Sequence, residues 1–305
     1  MAKAIITPPY LRKGATVGIV CPAGYMPAAK TLTCQQTLQS WGFQVKLGKT
    51  VGHQHFYFSG TDEERLQDLQ AMMDDPTVDA ILCGRGGYGT SRIIDQLNWK
   101  KFRKHPKWII GFSDITVLHS FLFTQLRTAS LHAPMANAFN DGGADDEYVQ
   151  SLRKALTGKK ASYTCAVHAC NKPGKATGQL VGGNLSLIAH QIGTPSDVDT
   201  KGKILFLEDV GEYLYNVDRM LLQLDRAGKL KGLAGLIIGG FTDNKDTTTP
   251  FGNTIDEIIA HRIAAYNFPV CFGFPVSHEK ENVALKVGAT FSLQVGKQKV
   301  TLKEL

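Results

Sequence analysis

Two α/β-type domains are expected from this sequence: a doubly wound parallel sheet first, then a smaller β-rich α+β domain. Three observations predict this. Short apolar runs alternate with helix-length segments from residue 16 to residue 132, and glycine-rich or serine-bearing turns sit where those runs end. A polar, lysine-rich stretch then interrupts the pattern, which resumes with more strand and less helix.

Residues 16–21 (TVGIVC) are a strand stopped by Pro22-Ala23-Gly24. Residues 28–41 have helical character, and 43–47 read as the next strand. Thr61 and Glu64 form a T-x-x-E capping box for a helix through Met73. Residues 79–83 (DAILC) form a strand running into Gly84-Arg85-Gly86-Gly87-Tyr88-Gly89, and a helix is expected over 91–97. Residues 108–112 are again a strand, 115–126 a helix, and 130–132 the end of a further strand. Open parallel sheets bind ligands beyond the carboxyl ends of their strands. The glycine-rich turn and Ser113 both fall there. The expected domains are 1–158 and 178–305, joined by a link over 159–177 that contains Lys159-Lys160 and Lys172-Pro173-Gly174-Lys175. Beyond it, 204–207 and 236–239 read as buried strands and 217–224 as part of a helix. Short strands follow Phe268 and end in 299–302.

Composition narrows the function classes. Of 305 residues, 43% are hydrophobic and 20% charged, which is ordinary globular usage and argues against a disordered chain. No apolar stretch has the length of a membrane span. Residues 1–13 carry two adjacent prolines and no continuous apolar core, so they do not read as a secretory signal, and a cytoplasmic protein is expected. Six scattered cysteines fit reduced thiols. Cys165, His168 and Cys170 match no familiar zinc spacing, so no metal is expected there. The net charge of +7 is spread over many segments with few aromatics among them. That suits small anionic substrates and gives little support to nucleic-acid or membrane binding.

The chemistry-bearing residues centre on Gly111-Phe112-Ser113-Asp114. An apolar strand stops, one serine follows, and a helix begins at once. A hydroxyl at such a corner is presented at the sheet edge, and the Asp114 backbone N–H can face a developing oxyanion. The competing role for Ser113 is a helix N-cap. The Gly84–Gly89 loop permits close backbone approach to a ligand. It lacks the Gly-Lys-Ser/Thr of a P-loop, and its G-x-G-x-x-G match does not follow the first strand, so oxyanion donation suits it better than dinucleotide binding. Arg85 within it is a candidate for a substrate carboxylate, with Asn184 as a lesser donor.

A serine nucleophile needs a base and an orienting acid. Of nine histidines, His119 lies in the helix after Ser113 and reads as structural. His53 and His55 have no acidic neighbour in the sequence, and His190, on an apolar helix face, reads as a core residue. His278 follows a strand and Pro275 in a polar loop, and is the candidate base; HEKEN lacks the second histidine of a zinc-protease motif. Glu208, ending an apolar strand, is the candidate acid, with Asp209 and Glu212 as alternatives.

Taken together, GRGGYG, GFSD, GGNLSLI, GTP, LEDVGEYLYNVDRML and the late P-x-S-H resemble the LD-carboxypeptidase family of murein tetrapeptide carboxypeptidases and microcin-immunity serine peptidases. The motifs run in order over nearly the whole chain. The resemblance implies Ser113 as nucleophile, Glu208 as acid, His278 as base, and an oxyanion hole from the Asp114 N–H and a glycine of the turn, Gly87. It implies release of terminal D-alanine from muropeptide tetrapeptides in peptidoglycan recycling, without metal or cofactor, and leaves self-association into a homodimer open. One departure is Ser277, where members often carry glycine before the histidine. The alternatives are hydrolysis of a microcin-like aminoacyl-nucleotide amide and, in a different class, a non-catalytic nucleotide-binding α/β protein.

Overall fold

The computed structural model describes residues 4–305 and divides into two compact units. The first comprises residues up to Lys159 together with Val283–Lys286; the second comprises Lys160–Asn282 and Val287–Leu305.

In the first unit the chain runs β1 (Thr16–Val20), α1 (Leu32–Ser40), β2 (Gln44–Leu47), α2 (Asp62–Asp74), β3 (Ala80–Cys83), α3 (Lys100–Lys104), β4 (Trp108–Gly111), α4 (Thr116–Phe121), β5 (Ser130–His132) and α5 (Glu147–Leu156). Strands β3, β4 and β5 are buried along their whole length, as parallel strands covered on both faces must be. Val17 and Ile19 of β1, Leu38 of α1, Trp108 and Ile110 of β4, Leu131 of β5 and Leu152 of α5 share one apolar cluster. The expected capping box holds α2: Thr61 accepts from the Glu64 N–H, and the Glu64 carboxylate accepts from the Thr61 N–H at 2.7 Å. Residues 91–97 form two short 3₁₀ turns, Thr90–Arg92 and Ile94–Gln96, in place of the expected helix.

The second unit contains β6 (Ser162–Cys165), β7 (Gly174–Asn184), α6 (Leu185–His190), β8 (Ile204–Val210), α7 (Leu214–Arg226), β9 (Gly235–Thr242), α8 (Ile255–Arg262) and β10 (Val270–Cys271). Then come β11 (Leu285–Val287), β12 (Thr290–Val295) and β13 (Val300–Glu304). Strand β11 returns to complete the first sheet, ordered β11-β5-β4-β3-β1-β2, whose pairs β5-β4, β4-β3, β3-β1 and β1-β2 are all parallel. The second sheet runs β10-β9-β8-β7-β12-β13-β6, parallel from β10 to β7 and antiparallel from β7 to β6. The segment 159–177, expected to be a link, therefore holds β6 and the start of β7. Its strand residues there, Ser162–Cys165 and the first residues of β7 with Gly174 and Lys175, are mostly exposed or half-buried, and Lys159, Lys160 and Lys172 flank them, which mimics linker composition. No described helix is long and apolar enough to cross a membrane.

Candidate active site

The first unit positions a serine and a glycine-rich turn together. After β4 the backbone turns so sharply that Ser113 adopts φ +62°, the left-handed conformation that non-glycine residues avoid at a cost of about 1–2 kcal/mol. Strain of this kind persists where surrounding contacts over-determine it. The cap position of the following turn is Phe112, and no side chain caps it, so Ser113 does not serve as the N-cap. Six residues later, His119 is fully buried; its two ring nitrogens lie 2.8 Å from Ser130 Oγ and 2.8 Å from the Gly111 carbonyl. Burial pushes the His119 pKa down to about 4, so it is neutral and structural, as its place in the sequence implied.

Gly86 lies directly against the serine. A Cβ there would meet Ser113 Cβ at 3.0 Å, Ser113 Oγ at 3.2 Å and the Asp114 nitrogen at 3.4 Å. The Gly86 carbonyl accepts from the Gly24 N–H at 3.0 Å, so the Gly87 N–H points to the opposite side of the same trans peptide plane. Gly87 has φ +101°, and a Cβ on it would fall 2.7 Å from the Tyr57 hydroxyl. The turn is anchored by Arg65, a fully buried residue whose Nη1 donates to the carbonyls of Pro22 (2.6 Å) and Gly89 (3.0 Å) and whose Nη2 pairs with Asp62. Buried Asp114 Oδ2 accepts from the Thr90 N–H at 2.8 Å, tying the serine corner to the same turn. Burial raises the Asp114 pKa, while Thr90 pulls it back. Arg85 is exposed and donates from Nη1 to the Tyr25 carbonyl at 2.8 Å. Arg65 carried no sequence signal, since DEER at the start of α2 reads as a solvated helix face.

The second unit brings together the candidate acid and the candidate base. His278 Nδ1 lies 2.6 Å from Glu208 Oε2, although the two residues are 70 apart in sequence. The pairing of β8 with β9 shifts register between Leu207 and Asp209, an irregularity that re-aims side chains. Glu208 and Asp209 are both buried there. Asp209 is taken up by Asn184 Nδ2 (2.8 Å) and by the Ser186 N–H and hydroxyl (2.9 and 2.7 Å). Glu212 accepts from Ser186 Oγ (3.2 Å) and Asn216 Nδ2 (3.0 Å). Of the three carboxylates open in the sequence, Glu208 is the one that meets the histidine.

Burial pushes the Glu208 pKa up, and the hydrogen bond from His278 opposes it. For His278, burial alone would favour the neutral ring. The bond and charge of Glu208, with Asp209 behind it, outweigh burial and hold the pKa above the ordinary histidine value. Ser277 resolves the departure noted before His278. Its hydroxyl accepts from the Glu279 N–H (3.0 Å) and donates to the Glu281 carbonyl (3.1 Å), closing the turn after His278. Asn184, expected as a substrate donor, is only 3% exposed and caps α6 by accepting from the Leu187 N–H at 3.2 Å, besides holding Asp209. Its amide is committed to positioning the acid strand. His190, expected in the core, is exposed at the end of α6. His53 finds an acidic partner across the fold in Glu64, at 3.2 Å.

Away from these residues, His168, Cys170 and Asp256 place ligand-type atoms within 4.8 Å of one another, whereas Cys165 pairs elsewhere. His168 Nδ1 accepts from the Cys170 N–H at 3.2 Å, and its Nε2 lies 3.5 Å from Asp256.

The chain matches two family profiles, the LD-carboxypeptidase N-terminal domain over residues 17–133 and the LD-carboxypeptidase C-terminal domain over 177–293. It is 36% identical to a probable murein peptide carboxypeptidase of Bacillus subtilis, covering 97% of this chain and 94% of the relative. It is 24% identical to the microcin C7 self-immunity protein MccF of Escherichia coli, covering 88% and 86%. The crystal structure of muramoyltetrapeptide carboxypeptidase from Oxalobacter formigenes superposes with a TM-score of 0.86 at 31% identity, covering 95% of this chain and 98% of that one. With both halves matched in order and sequence similarity running almost end to end, the chain belongs to the LD-carboxypeptidase family and is a serine carboxypeptidase.

Proposed function

We propose that the protein hydrolyses the L,D-peptide bond to the terminal D-alanine of muropeptide tetrapeptides, in cytoplasmic peptidoglycan recycling, by a Ser113–His278–Glu208 triad. The reading rests chiefly on the left-handed Ser113 at the end of β4, backed by the Glu208–His278 pair at 2.6 Å. In this mechanism Ser113 Oγ attacks the scissile carbonyl while His278 takes its proton through Nε2. Glu208 holds Nδ1–H and stabilises the imidazolium. The N–H groups of Asp114 and Gly87 receive the oxyanion. His278 then delivers the proton to the departing D-alanine amine, and water, activated by the same imidazole, hydrolyses the acyl-serine. Each step uses a protein proton donor or acceptor and none calls for a Lewis acid. Exhaustive chelation with EDTA is therefore expected to leave kcat unchanged. Loss of activity restored by zinc would refute the serine mechanism.

Arg85 is proposed to bind the substrate's terminal carboxylate. Its guanidinium is exposed beside the glycine turn, and the bond it makes there is to a carbonyl. A charged donor recognises a carboxylate far better than an amide. The test compares a muropeptide tetrapeptide with its C-terminal amide, in wild type and in Arg85→Ala. Wild type is expected to prefer the free acid strongly, and the variant to lose most of that preference through KM. Equal turnover of acid and amide by wild type would favour the second reading, hydrolysis of an aminoacyl-nucleotide amide, which the similarity to MccF supports.

A further inference from the structure

We propose that Cys165 and Cys271 are an oxidative modification site, forming a reversible disulfide when a hydroperoxide reaches the second unit. Their sulfurs lie 3.8 Å apart, although the residues are 106 positions apart in sequence. Strands β6 and β10, which carry them, stand at opposite ends of the seven-stranded sheet. The sheet therefore curls until its two edges meet, and the cysteines sit on the seam.

Other contacts stitch the same seam. Lys172 and Val270 exchange both backbone hydrogen bonds at 3.0 Å, and the Phe272 N–H donates to Asn171 Oδ1 at 2.7 Å. The rings of Tyr163 and Phe274 meet edge to face with centroids 6.2 Å apart. These contacts hold the two sulfurs in register without a covalent bond. Closing to the roughly 2.05 Å of a disulfide needs about 1.8 Å of approach, which side-chain rotation and a small edge-strand shift can provide.

The two thiols differ in the way such a reaction requires. Cys165 is half-buried on an edge strand, within reach of a small oxidant, whereas Cys271 is fully buried. The hydrogen bond from Cys271 favours the Cys165 thiolate and lowers its pKa, against the opposing effect of burial. The Cys165 thiolate attacks one oxygen of the hydroperoxide; the O–O bond breaks, the other oxygen leaves as water or alcohol after taking a proton, and Cys165 becomes a sulfenic acid. Cys271 sulfur then attacks the Cys165 sulfur, loses its proton, and displaces water. Two thiols and one hydroperoxide thus yield one disulfide, with two electrons passed to the peroxide. A dithiol reverses the change by exchange. The disulfide would bridge the seam seven residues ahead of His278, on the segment leading to the base.

The experiment uses the full-length reduced protein treated with stoichiometric hydrogen peroxide, followed by alkylation, intact mass and peptide mapping. The expected product has lost two hydrogens and links the peptides containing Cys165 and Cys271. Dithiothreitol should reverse it, and the oxidised form should melt several degrees higher because a long loop is closed. Cys170→Ser should oxidise as wild type does, and Cys165→Ser should give no link. A link through Cys170, or sulfinic acid at Cys165 with no cross-link in wild type, would overturn the proposal.

Discussion

Ser113→Ala is expected to lower kcat by on the order of 10⁴ or more while leaving the fold intact, because a nucleophile and its base act as a unit. The fold should survive because the hydroxyl caps no helix. The backbone at this position offers a second, independent reading. Ser113 holds φ +62°, a conformation that glycine adopts without steric penalty. Ser113→Gly should therefore be as inactive as the alanine variant yet match or exceed wild-type stability, by up to about 1 kcal/mol. Thermal melts of both variants beside steady-state kinetics make the check. A folded Ser113→Ala protein with most of its activity would sink the assignment.

The second large effect belongs to the proposed base and its acid. His278→Ala should be about as damaging as loss of the nucleophile, and Glu208→Gln roughly two orders of magnitude less so, since the acid orients and does not react. The pH profile separates the two roles. As the proposed base, His278 must be neutral to accept the serine proton, so kcat/KM is expected to fall as pH drops through its pKa. Glu208 holds that pKa above the ordinary histidine value of about 6.5, placing the acid limb above it. In Glu208→Gln the carboxylate is gone while the burial that favours the neutral ring remains, so the limb should move to lower pH as kcat falls. A limb that stays in place would mean that another group sets it.

Much of this was legible because it is local. The T-x-x-E box at Thr61, the abrupt end of the WIIGF strand and the four glycines after DAILC each state their structure within a few residues. What escaped depends on distant partners. Glu208, Asp209 and Glu212 lie within five positions, and nothing in that string says which meets a histidine; the register shift against β9 and the demands of Asn184, Ser186 and Asn216 decide it. Arg65 looks like surface charge until Pro22 and Gly89 present their carbonyls to it. Strand β6 was hidden because its residues are exposed or half-buried and carry no apolar run. Among the short strands expected after Phe268, nothing local marked β11 as the one whose three residues complete a sheet begun some 270 positions earlier.

The proposed reaction is Ser113-dependent removal of a terminal D-alanine. The most direct measurement is mass spectrometry of a purified muropeptide tetrapeptide incubated with wild type and with folded Ser113→Ala protein. Tripeptide and free D-alanine are expected with wild type, and intact tetrapeptide with the variant. Tetrapeptide left untouched by wild type, or trimmed equally by both proteins, would contradict it.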